Sequence, residues 1–169
     1  IAWVHRRDAE GSKWLDAERE FSTQPPEWGA VQMHGVIDRV DSTDDQAGPT
    51  TQLIDYKTGQ AQALRDAIKR GEDTQLPFYA ALMAAQGEGP GDLSAMYLML
   101  DESDKILELP HAEVSVSAQA LVQGIGRDLA RIAAGAAMPA LGEGQACEHC
   151  DARGLCRRDH WPGAADLAR

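Results

Sequence analysis

The spacing of apolar positions changes several times along the chain, and each change marks an element. The run Val31 to Asp41, Val-Gln-Met-His-Gly-Val-Ile-Asp-Arg-Val-Asp, is rich in β-branched residues and predicts a strand. Ser42 to Thr50 is polar, contains Gly48-Pro49 and predicts a loop. Gln52 to Lys57 predicts a second strand, pairing with the first as an antiparallel hairpin with a long tip. Upstream, residues 1 to 15 are mixed and polar. They predict a short helix, with Trp3 and Trp14 as anchors. Residues 17 to 23 fit a strand that ends at Pro25-Pro26.

Downstream the period becomes helical. Ala61 to Arg70 predicts a helix stopped by Gly71. Thr74 is a reasonable N-cap for a second helix reaching about Ala85, with Leu76, Tyr79, Ala80 and Met83 toward the core. Leu93 to Leu100 predicts an apolar strand, with Lys105 to Leu109 pairing beside it. Residues 117 to 134 predict a helix carrying Leu121, Ile125, Leu129 and Ile132 on one face, weakened by Gly124 and Gly126. This order of strands and helices predicts an α/β domain with a mixed β-sheet flanked by helices.

Composition changes this picture little. At 169 residues, with 43% hydrophobic and 25% charged residues, the chain supports one globular core. A single domain over 1–169 is expected, with its core at about 17–136 and a cysteine-bearing loop and tail at 137–169. No run reaches the roughly 18 apolar residues of a membrane span. No basic stretch leads into an apolar one as in a secretory signal. A cytoplasmic protein with no membrane partner is therefore expected. The first residue is Ile1 rather than Met, which reads as a fragment or processed product. The net charge of −11 argues against tight independent binding of nucleic acid. Bound cations would offset part of it.

The candidate chemistry lies in the hairpin. Side chains alternate along a strand, so Asp55 and Lys57 share one face while Ile54 and Tyr56 share the other. Asp38 on the paired strand can join Asp55 on that face. Two carboxylates beside an ammonium suit Mg²⁺ or Mn²⁺, which favour hard oxygen ligands. Such an ion polarises a phosphodiester and lowers the pKa of a bound water, while the lysine stabilises developing charge. An isolated Asp-x-Lys recurs by chance in many proteins. Here the charges interrupt segments of buried-strand character, where they are costly unless paired or bound to metal.

Gly35-Val36-Ile37-Asp38-Arg39-Val40-Asp41, then Leu53-Ile54-Asp55-Tyr56-Lys57-Thr58-Gly59, then Gln75-Leu76-Pro77-Phe78-Tyr79 closely resemble the RecB-type, AddB-like branch of the PD-(D/E)XK nucleases. The resemblance covers roughly residues 17 to 160. It implies a restriction-endonuclease-like core, with Asp38 and Asp55 as metal ligands, Lys57 as the catalytic lysine and the Tyr56 carbonyl as a further ligand. Gln75 and Tyr79 match the family's Q-x-x-x-Y helix motif beside the active site, and their i, i+4 spacing puts them on one helix face. Core packing accounts for Tyr79 equally well. Many members place a metal-binding His on a helix well before the first motif. Only 34 residues precede Gly35 here, and His5 and His34 are poor matches, so that ligand is expected to be missing.

Cys147, Cys150 and Cys156 form a tight, odd-numbered cluster, better suited to metal or iron–sulfur ligation in a reducing compartment than to disulfides. The same branch includes members whose three C-terminal cysteines join one upstream cysteine around a [4Fe–4S] cluster, and the fourth would be absent here. A zinc site completed by His149 or His160, or free thiols, are the other readings. The resemblance implies a metal-dependent DNA exonuclease acting on single-stranded ends beside a helicase, in break repair. The alternative is a catalytically inactive nuclease-like module that binds DNA or a helicase. A zinc-ribbon-like interaction module would leave both strand motifs unexplained.

Overall fold

The structure, a computed structural model, describes residues 2–45, 48–87, 92–100, 106–137, 147 and 150–156. Its contacts group the chain into two compact units, Ile1–Leu129 and Ala130–Arg169. The first holds a five-stranded sheet in the order β1-β2-β3-β4-β5. The strands are β1 (Lys13–Thr23), β2 (Met33–Asp45), β3 (Gly48–Lys57), β4 (Asp92–Leu100) and β5 (Ile106–Pro110). Neighbours are antiparallel except β3 and β4, which run parallel. A parallel pair needs a crossover, supplied here by α2 (Ala61–Arg70) and α3 (Gln75–Gln86). Helix α1 (Ala2–Ala9) precedes the sheet and α4 (Val114–Ala133) follows it. The domain is thus α/β with a mixed sheet flanked by helices, consistent with the restriction-endonuclease-like core expected.

The two faces of the sheet are covered differently. Ile37, Leu53 and Tyr97 pack with Leu76, Ala80 and Leu82 of α3 on the larger side, where Val122, Ile125 and Leu129 of α4 also pack. On the other side Trp3 of α1 closes over Ile54, Met96 and Leu98. That second side also buries Asp41, which takes Arg39 Nε and Nη2 at 2.7 and 3.1 Å. Arg7 of α1 lies 3.9 Å from the same carboxylate. Both guanidiniums stack on the Trp3 ring, at 5.7 and 5.4 Å from its centroid. A charged, aromatic clamp therefore fastens α1 to the sheet.

Three expectations are corrected. Most of the expected loop is strand: β2 and β3 stay paired through Ser42↔Thr51 and Thr43↔Thr50 to Asp45↔Gly48. Ser and Thr tolerate the extended backbone, and the ribbon runs beyond the core, where nothing demands apolar residues. Strand β1 starts at Lys13, so the first helix is shorter than expected and Trp14 lies on the strand, 60% exposed. Trp3 alone of the two tryptophans is an anchor. The early start was hidden because β1 is an edge strand exposed over most of its length. Ile132 is also exposed rather than a core residue.

Candidate active site

Strand β2 parts from its neighbours at one residue. Its ladder with β3 runs as far as Arg39↔Ile54, and one step further would set Asp38 opposite Asp55. Its ladder with β1 pairs Ala17↔Arg39 and Arg19↔Ile37 and omits Glu18 opposite Asp38. Glu18 has φ 52°, in the left-handed region that a non-glycine residue rarely enters. Where the sheet forks, the side chain of Asp38 takes over the bridging, its Oδ2 accepting from Tyr56 N–H at 2.9 Å.

Asp55 is 1% exposed, so its charge must be met locally. Lys57, two residues on and on the same face, brings Nζ to 2.5 Å from Oδ2 as an ion pair. That oxygen nevertheless lacks an aligned hydrogen-bond donor. Gln75, at the start of α3, donates from Nε2 to Oδ1 at 2.7 Å and to the Tyr79 hydroxyl at 3.1 Å, as the shared helix face permits. Burial raises the Asp55 carboxyl above its ordinary range. Lys57 pulls it back down, and the charges of Asp38 and Asp73 add to the rise. The Lys57 ammonium also stands 5.4 Å from the centroid of the Tyr97 ring, the residue paired with Asp55 across β3 and β4.

The fold therefore brings Asp55, Lys57, Gln75 and Tyr79 together on one side of the sheet, while Asp38 bonds the main chain of Tyr56 next to Asp55. Tyr56 turns its ring to the opposite side, against the Trp3 cluster. Beside Gln75 and Tyr79 lies a hollow of about 500 Å³, walled by His34, Gly35, Phe78, Leu121 and Ile125. Gly35 lets α3 approach: a Cβ there would stand 3.0 Å from Leu82 Cδ1. A larger hollow of about 840 Å³ lies elsewhere, and neither Asp38, Asp55 nor Lys57 lines it. Of the upstream histidines, His34 pairs with Glu20 at 2.6 Å. His5 is exposed on α1, the helix that covers the other side.

Two members of this constellation escaped the sequence. Tyr97 looked like one more core residue of an apolar strand. Asp73 looked like part of the turn before α3, although its place two residues ahead of Gln75 was a usable signal. Tyr97 donates its hydroxyl to Asp73 Oδ1 at 2.7 Å, and burial, with Asp73 next, raises its phenol far above the ordinary range.

The donor set suits a hard cation. Mg²⁺ is commonly held by one or two carboxylates and keeps several waters. Asp38 and Asp55 would make such a pair, and the Asp55 oxygen without an aligned donor has lone pairs to offer. Among the described residues no three His, Cys, Asp or Glu side chains converge as a closed metal cage would. That covers the cysteines as well: Cys147 and Cys156 are half-buried, Cys150 is exposed, and none forms a disulfide. His149 and His160, the zinc candidates, lie outside the described residues. Among the described residues no helix is long and apolar enough to cross a membrane.

Residues 1–157 match the family described as the PD-(D/E)XK nuclease superfamily. No curated protein matches the chain. Among solved structures, one described as "Crystal structure of SSO0001" aligns at 15% identity with a TM-score of 0.48. The alignment covers 92% of this chain and 64% of that one, so this chain spans less than two thirds of that relative's length.

Proposed function

The chain belongs to the PD-(D/E)XK nuclease superfamily, and from that premise we propose that Asp38, Asp55 and Lys57 form the active centre of a Mg²⁺- or Mn²⁺-dependent deoxyribonuclease of the RecB-type, AddB-like branch. The observation that carries the reading is the Lys57–Asp55–Gln75 chain of contacts at 2.5 and 2.7 Å, set opposite Asp38 where the sheet forks. A structural role alone gives no reason to bury Asp55 in this way.

Asp38, Asp55 and the main-chain carbonyl of Tyr56 would hold the ion. When bound, it supplies charge for the scissile phosphate and a water of lowered pKa. Gln75 fixes one oxygen of Asp55, leaving the other, beside Lys57, for the ion. Lys57 neutralises that oxygen in the resting site. During hydrolysis it orients the attacking water or meets the charge that grows on the phosphoryl oxygens. Water adds across one P–O bond: its oxygen goes to phosphorus and its proton follows the leaving oxygen. Tyr79 acts through Gln75.

The substrate in this reading is DNA, attacked exonucleolytically at single-stranded ends delivered by a helicase subunit or domain, in cytoplasmic DNA repair. Cys147, Cys150 and Cys156 would be three ligands of a structural [4Fe–4S] cluster, with a fourth cysteine upstream. In the complete protein, Asp55→Ala and Lys57→Ala should each lower kcat for Mn²⁺-dependent DNA digestion by about a hundredfold or more while the fold persists. Digestion by both variants at the wild-type rate would leave the inactive-module reading in its place.

A further inference from the structure

Asp73 stands between α2 and α3 and does more than end a turn. Its Oδ1 accepts from Tyr97 O–H at 2.7 Å and from Gln75 N–H at 3.2 Å. Thr74, the formal cap of α3, makes no side-chain capping bond, so Asp73 holds the start of that helix in its stead. A capping role accounts for Oδ1 alone. The second oxygen, Oδ2, is buried and has no donor. An unpaired buried carboxylate oxygen costs stability and gives the fold nothing in return. Its charge is nonetheless felt at Asp55. Asp73 and Asp55 thus meet on one residue, Gln75, and Asp55 in turn carries the Lys57 ammonium.

Resting on the nuclease reading above, we propose that Asp73 is a positioning residue of the metal site. Through Gln75 it fixes the orientation of Asp55, through Tyr97 it anchors the start of α3 to β4, and its charge adds to the attraction for a divalent cation. Gln75 is the link: its main chain is tied to Asp73 and its side chain to Asp55. Displacing the first turn of α3 would withdraw that amide from the carboxylate. Tyr97 is the floor, with its ring under Lys57 and its hydroxyl on Asp73.

The test is Mn²⁺ binding to the chain, read from the electron paramagnetic resonance signal of free Mn²⁺, with melting temperatures measured in EDTA. Asp73→Asn preserves shape and keeps an oxygen to accept both hydrogen bonds, removing only the charge. It should weaken Mn²⁺ binding on the order of tenfold, the scale of one unit charge beside a partly solvated divalent ion. Tyr97→Phe keeps the charge and loosens the anchor, and should weaken binding about two- to threefold, as loss of one hydrogen bond does. A helix-capping role alone would leave the Mn²⁺ affinity of the folded variants unchanged whatever their melting temperatures, and that result overturns the proposal. Should Asp73→Asn fail to fold, wild-type affinity in Tyr97→Phe overturns it equally. Asp55→Asn separates the two levels. If it abolishes binding that Asp73→Asn leaves intact, only the role of Asp73 is wrong. If the wild type and Asp55→Asn bind alike, the metal site and this inference fall together.

Discussion

Asp55→Asn should make the metal-free protein more stable. The substitution keeps the volume of the side chain and an oxygen for Gln75 Nε2, now 2.7 Å from Oδ1. It removes a charge buried to 1% exposure and opposed by Asp38 and Asp73. Against this, the ion pair with Lys57 is lost. Lys57 is 31% exposed and stays hydrated, so the pair contributes about 1 kcal/mol or less. The usual penalty for stranding a buried partner does not arise. Ion burial costs several kcal/mol, of which its contacts return a part, so the net gain is about 1–2 kcal/mol. For a chain of this size that raises Tm by about 2–8 °C. The sign with pH follows from the raised carboxyl: the native state holds this proton more tightly than the unfolded chain. Asp55 therefore costs stability as pH rises through its folded value, and the variant's advantage disappears below about pH 4, where both states are protonated. Differential scanning fluorimetry in EDTA at pH 4 and pH 7 reads this directly. Mn²⁺ should then reverse the order, adding about 2.7 kcal/mol to the wild type alone at a hundredfold excess over Kd. A variant that melts below the wild type at pH 7 without metal would refute the reasoning.

Asp41, three residues from Asp38, should behave in the opposite way. Asp41→Asn strands Arg39 and Arg7 around a buried site and should cost about 3–5 kcal/mol, or about 6–20 °C in Tm, with the loss independent of Mn²⁺. Two glycines of α4 should also part company in thermal melts. Gly124→Ala has only the end of Arg127 within reach and should stabilise by about 1 kcal/mol. Gly126→Ala would set its Cβ 2.9 Å from Glu27 Cβ and 3.2 Å from the Glu27 carbonyl oxygen, and should destabilise by about 1–3 kcal/mol.

These contrasts mark where the sequence was legible. Period-two alternation was enough to put Asp55 and Lys57 on one face, and helical spacing was enough to pair Gln75 with Tyr79. Alternation failed along β2. Ile37 and Val40 lie in the same core cluster although they are three positions apart, which strict alternation would put on opposite faces. The strand turns at the fork beside Asp38, and no local pattern announces a fork. Alternation does set Asp38 and Asp41, three positions apart, on opposite faces, but it could not say which carboxylate lies near the candidate site and which in the clamp. Asp73 and Tyr97 were hidden for a different reason: their bond spans 24 positions and exists only once the crossover helices have packed. The extended hairpin was missed because its outer pairs are polar, and polarity there reflects exposure rather than a loop.

The central claim is that Asp38 and Asp55 share a divalent ion, and anomalous diffraction from crystals of the chain grown with Mn²⁺ tests it most directly. The account predicts one strong manganese peak between the two carboxylates, within about 2.0–2.3 Å of an oxygen from each, with waters completing the shell. It also predicts no such peak in Asp55→Asn crystals grown alike. Full manganese occupancy elsewhere on the chain, with none between Asp38 and Asp55, would contradict it.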